Sequence, residues 1–65
     1  MLLSVIYDSR KKMGLVFDME GIPPKGYTVN LMNHESGVFL FHVTYKDYYD
    51  AKKTFDELQR AYDLH

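Results

Sequence analysis

Near the end of the chain, in TYKDYYDAKKTFDELQRAYDL, Tyr48, Ala51, Phe55, Leu58 and Tyr62 follow one another at spacings of 3, 4, 3 and 4. At 3.6 residues per turn these side chains fall in one stripe about 80° wide, with charged residues around the remaining circumference. The spacing predicts an amphipathic helix over Thr44–Leu64, with no glycine or proline inside it. Such a helix must lay its stripe on an apolar layer, and the residues before it have to supply that layer. A chain with one helix can cover a sheet on one side only.

The preceding residues read as strands. Leu2–Tyr7 is rich in strand-favouring residues and runs into the polar turn Asp8–Gly14. Leu15–Met19 alternates, with Leu15, Phe17 and Met19 on one face and Val16 and Asp18 on the other. Glu20–Gly26 carries both prolines of the chain between glycines, which interrupts regular structure. Tyr27–Met32 alternates again, Tyr27, Val29 and Leu31 against Thr28, Asn30 and Met32. The loop Asn33–Gly37 then leads into Val38–Val43, apolar on both faces: Phe39, Phe41 and Val43 on one, Val38, Leu40 and His42 on the other. A parallel crossover needs a dozen or more residues, and none is available between these runs. The expected fold is α+β: a small antiparallel sheet of about four strands, β-β-β-β-α, with the C-terminal amphipathic helix packed on one face. At 65 residues the chain is expected to form a single domain, 1–65.

Thr44 is the expected N-cap, with Asp47 three residues later as a variant of the capping box. Asp47 and Asp50 suit the positive end of the helix dipole. Lys53 and Glu57, and Asp56 and Arg60, stand four apart with opposite charge, worth a few tenths of a kcal/mol per pair.

With Phe39, Phe41 and Val43 assigned to the helix side, the other face should be polar, and it is not. Val16, Met32, Val38 and Leu40 point there, as do Leu2 and Ile6 if Leu3, Val5 and Tyr7 are the buried set of the first strand. Contiguous exposed apolar patches mark interaction sites. Small domains without a large core also rely on disulfides, metals or self-association. There is no cysteine, which removes the first and excludes thiolate metal sites. The expected partner interface is therefore Val16, Met32, Val38, Leu40 and His42, with exposed Tyr49 on the outer side of the helix as a lesser candidate. Partial burial of His42 there would make association sensitive to pH.

No motif specifies catalysis. His34, His42 and His65 form no metal-ligand spacing, and Ser4, Ser9 and Ser36 lie in no nucleophile motif. Asp18 and Glu20 are two apart but sit in no recognisable pocket motif. Glycine-rich phosphate loops are absent. The expectation is a protein that is not an enzyme, with no catalytic residues, no cofactor and no metal.

The charge balance, eight basic against nine acidic residues, lacks the excess that drives non-specific nucleic-acid binding. One basic cluster exists, Arg10, Lys11 and Lys12, with Lys25 in a later loop. Nucleic-acid binding through these four residues is the alternative function. The Met1–Tyr7 apolar run is too short for a membrane span and has no basic leader, so a cytoplasmic protein with no membrane partner is expected.

In being short, cysteine-free, strand-rich and without catalytic motifs, the chain is similar to accessory proteins of phages and mobile elements. That similarity implies binding of a host protein. Together these features predict a small non-enzymatic regulatory module, a homodimer or a binder of another protein, acting through the sheet face the helix leaves open.

Overall fold

A computed structural model describes residues 1–65. The strands β1 (Leu2–Asp8), β2 (Met13–Glu20), β3 (Gly26–Asn33) and β4 (Val38–Tyr45) precede one helix, α1 (Tyr48–Ala61). They form one antiparallel sheet in the order β1-β2-β3-β4, followed by a helix packed on one side. The expected α+β architecture is therefore the observed one. Each strand starts or ends one or two residues outside its alternating run, because ladder pairing extends into the turns.

The helix lies over β2, β3 and β4 and does not reach β1. The core between the layers consists of Leu15, Phe17, Val29, Leu31, Ala51, Phe55 and Leu64. At the end nearest the helix start it is aromatic. The Phe17 ring lies 5.4 Å from Tyr48 and 5.9 Å from Phe55, and Tyr27 meets Tyr48 edge-on at 5.6 Å. Thr54 Oγ1 donates to Tyr45 Oη at 2.9 Å, which ties the helix to the last residue of β4.

Both helix ends differ from the expectation. Asp47, not Thr44, is the N-cap: in an extended conformation, it accepts from the Asp50 N–H at 3.3 Å. Thr44 is still a strand residue, paired with Thr28, because β4 runs on to Tyr45. At the other end Asp63 takes a left-handed conformation with φ 52°. The Leu64 N–H reaches the Gln59 carbonyl at 3.0 Å and the Asp63 N–H reaches Arg60 at 3.2 Å. This is a Schellman closure with an aspartate where glycine is usual, and it turns Leu64 back into the core. The expected pairs Lys53–Glu57 and Asp56–Arg60 do not form. Asp56 is taken instead by Lys52, at 2.8 Å.

Truncating the centre of the stripe should remove most of the fold's stability. Phe55→Ala is expected to cost about 3–5 kcal/mol, against less than about 0.5 kcal/mol for Tyr49→Ala at an exposed position. Urea denaturation followed by circular dichroism reads both.

Candidate interaction surface

In a paired sheet, residues opposite one another share a face, so the ladder assigns every side chain to a side. The row Ile6–Leu15–Leu31–Phe41 points to the helix. The rows on either side of it point away: Tyr7–Gly14–Met32–Phe39 and Val5–Val16–Asn30–His42. A third outward row, Leu2–Asp18–Thr28–Thr44, lies towards the β2–β3 turn. No element of the chain covers this side.

Val16, Met32 and His42 therefore stand on the open face, where the sequence places them. Val38 and Phe39 exchange sides. Leu31 pairs with Phe41 and the next residue, Met32, pairs with Phe39, so Leu40 is an extra residue in a β-bulge. The bulge puts Phe39 among the outward residues and Val38 in the row of Met13 and Asn33 on the helix side. Leu40 is exposed within the bulge itself. β1 also departs from the expected assignment. A second irregularity, at Leu3, precedes a regular run in which Ile6 faces the helix while Val5 and Tyr7 face outward. Tyr49 is exposed on the helix, away from this face, and its ring packs edge-on against Tyr48.

The open face is graded along the strands. Near the β1–β2 and β3–β4 turns it is apolar: Val5, Tyr7 and Phe39 are each about half exposed, at 49, 50 and 51%. Met32 and Val16 lie between them, partly buried. Towards the β2–β3 turn it is polar apart from exposed Leu2, and internally bonded. Thr28 Oγ1 donates to Glu20 Oε1 at 3.0 Å and is 3.0 Å from Thr44 Oγ1, so the Thr44 hydroxyl donates to Thr28.

One histidine borders the apolar half and another lies within it. The His42 ring is 5.3 Å from Phe39, and the His34 ring meets Tyr7 edge-on at 5.2 Å. His34 occupies the space left by Gly14, where an added Cβ would stand 2.6 Å from its Nε2. Glycine within a strand often marks such a close approach. That signal was present in the sequence, but the residue read as the end of a turn.

The basic residues are not brought together. Arg10, Lys11 and Lys12 lie at one end of β2 and Lys25 at the other, separated by a strand about 27 Å long. Lys11 Nζ donates to the carbonyls of Tyr62, at 2.8 Å, and Asp63, which places its charge at the negative end of the helix. Lys12 Nζ lies 3.4 Å from Glu35 across the two adjacent turns. Only Arg10 in this cluster lacks an ion-pair partner.

A polar cavity of about 330 Å³ lies beside this turn, lined by Asp8, Ser9, Arg10, Lys11, Asp63 and His65. Asp8 is its structural anchor. Its Oδ2 accepts from the His65 N–H, and its Oδ1 from those of Arg10 and Lys11, all at 3.1 Å. These bonds, His65 first, hold the Asp8 carboxyl below the usual aspartate range. Asp63 is lowered chiefly by its 2.7 Å contact with His65 Nε2, with help from Lys11. Both acids are thus ionised near neutral pH, which suits structural acceptors and not proton donors. No three side chains of metal-binding type converge anywhere, and no helix is long and apolar enough to cross a membrane. No family model, curated protein or solved structure is significantly similar to the chain.

A depressed carboxyl adds stability above its unfolded pKa, and the gain disappears as pH falls through the lower, folded value. Asp8→Asn should therefore unfold at a lower temperature than the parent at pH 7. The two melting curves should converge as pH drops below the ordinary aspartate value of 3.8. Gly14→Ala should displace the His34 ring, read as loss of the Tyr7 ring-current shift on the His34 proton signals.

Proposed function

We propose that the chain is a small non-enzymatic interaction module that associates with a second copy through the open sheet face. The observation that supports this most is the apolar half of that face, where Val5, Tyr7, Val16, Met32 and Phe39 adjoin with only the His34 ring, over Gly14, lying among them. Isolated apolar residues on a surface are ordinary, whereas a contiguous group framed by polar ones is the pattern of an interface. Here the frame is the Glu20–Thr28–Thr44 network on one side and the charged turns on the other.

Size favours a second copy. Four strands of seven or eight residues at sheet spacing present a plane of about 500 Å². Stacking two such faces removes about 1,000 Å² in projection, which reaches the lower bound for a specific interface. Two sheets stacked this way, each with its helix outside, make a four-layer particle whose central seam is apolar in the half near the β1–β2 and β3–β4 turns. A protein target, such as the host protein an accessory factor of a phage or mobile element would bind, uses the same face when it replaces the second copy. The paired state of Lys11 and Lys12 leaves little free positive charge for nucleic acid, so association through the sheet is the favoured reading.

Light scattering on purified protein tests it. The parent should have a mass that is a multiple of 7.7 kDa, and Val5→Glu should lower it. Glutamate at Val5 places a charge on the β1 side of the apolar half while leaving the core untouched. A parent that is monomeric, or an association that Val5→Glu does not weaken, contradicts the proposal.

A further inference from the structure

The open face does not account for every exposed apolar residue. β4 is exposed on both of its sides. On the helix side, Val29 is fully buried, but Val43, next to it in the same row, is 38% exposed because the helix stops short of the sheet edge. On the other side Phe39 and His42 stand open. Stacking on the open face covers one side of β4 only. A strand laid alongside β4 covers both.

Over most of its length the edge itself is unguarded. Sheet edges are usually protected by charged residues, proline, bulges or a covering segment. β4, VFLFHVTY, contains no charged residue and no proline. Its bulge, at Leu40, lies near the start and leaves Phe41–Tyr45 as a regular run with one unpaired side. β1, the other edge, has an irregularity at Leu3 and ends in Asp8, whose carboxylate is held by the turn.

We infer that β4 is a second self-association surface, pairing antiparallel with β4 of another copy about a two-fold axis at Val43. An antiparallel strand is self-complementary about such an axis, so a second copy is the occupant that satisfies it without further design. The axis sets Val43 opposite Val43 and Phe41 opposite the second copy's Tyr45 on the helix side. On the open side, His42 stands opposite Thr44. No like charges meet. The two sheets join into one of eight strands with both helices on the same side, and the open faces lie edge to edge as one surface. This surface is separate from the open face, and the inference does not rest on the preceding one. If both surfaces act and their two-fold axes intersect at right angles, the assembly closes as a tetramer. The shared seam is short, about 17 Å, so this contact belongs among the weaker ones and is measured at up to about 1 mM protein.

Sedimentation equilibrium of Val43→Lys and Val43→Glu, separately and mixed, tests the inference. Position 43 is partly exposed, so either side chain can extend past the edge without entering the core. Each variant alone should have half the parent's mass, since like charges would face each other at the axis. An equimolar mixture should recover the parent mass, which also shows that both variants are folded. A monomeric parent, variants that keep the parent mass, or a mixture that stays at half mass each overturn the inference. Growth without limit in Val5→Glu overturns it too, since β1 pairing with β4 head-to-tail gives open filaments. Val5→Glu separates this surface from the open face: with both contacts intact in the parent, it should leave a dimer that Val43→Lys then splits.

Discussion

One amphipathic helix covers one side of a four-stranded sheet, and the rest of the structure follows from that shortage. The stripe from Tyr48 to Leu58 is long enough to seal β2 and β3, and its aromatic end packs Phe17, Tyr27 and Phe55 into a dense cluster. It does not extend to β1, and it reaches β4 without covering its edge. A core of seven buried side chains is the result. Single hydrophobic cores in chains of this size supply only a few kcal/mol, and this one has no cysteine to form a disulfide and no cluster of metal-binding side chains. The apolar surface left over is thus placed where association could complete the core.

The polar contacts are spent on holding the chain's ends and turns. Asp8 ties the first turn to the residues after the helix, Lys11 caps the helix carbonyls from that turn, and Lys12 meets Glu35 in the neighbouring one. Leu64 is pulled into the core by the turn at Asp63. These contacts gather both turns and the helix C-terminus at one end of the molecule. They also pair two of the three cations, Lys11 and Lys12, in the cluster that had suggested phosphate binding. The apolar half of the open face begins immediately beside them, so the same end of the sheet carries the firmest turns and the most exposed apolar surface.

Much of the fold was legible because period and punctuation agreed. The alternation in Leu15–Met19 and Tyr27–Met32 gave the correct sides for β2 and β3, and the 3-4-3-4 spacing located the helix. The misreadings share one cause: backbone irregularity leaves no trace in a run that is apolar throughout. In Val38–Val43 every residue but His42 is apolar, so nothing marks Leu40 as the extra one, and Phe39 was assigned to the wrong side. Leu2–Tyr7 has the same defect, and the assignment of Val5, Ile6 and Tyr7 was reversed. Thr44 and Asp47 both suit an N-cap, and only the length of β4 decides between them. The candidate surface was legible as a surplus of apolar residues, but which residues it holds was not: Val16, Met32 and His42 were placed on the open face, whereas Val5, Tyr7, Phe39 and the ring of His34 came from pairing alone.

If the core is completed by association, folding stability must depend on protein concentration. A partner that binds only the native state stabilises it by mass action, so the melting temperature rises as the total concentration rises. Thermal unfolding measured over a hundredfold range of concentration is the most direct test. A midpoint that climbs steadily across that range is the expected result. A midpoint that stays constant throughout would mean that the helix and one face of the sheet suffice, and would contradict the account.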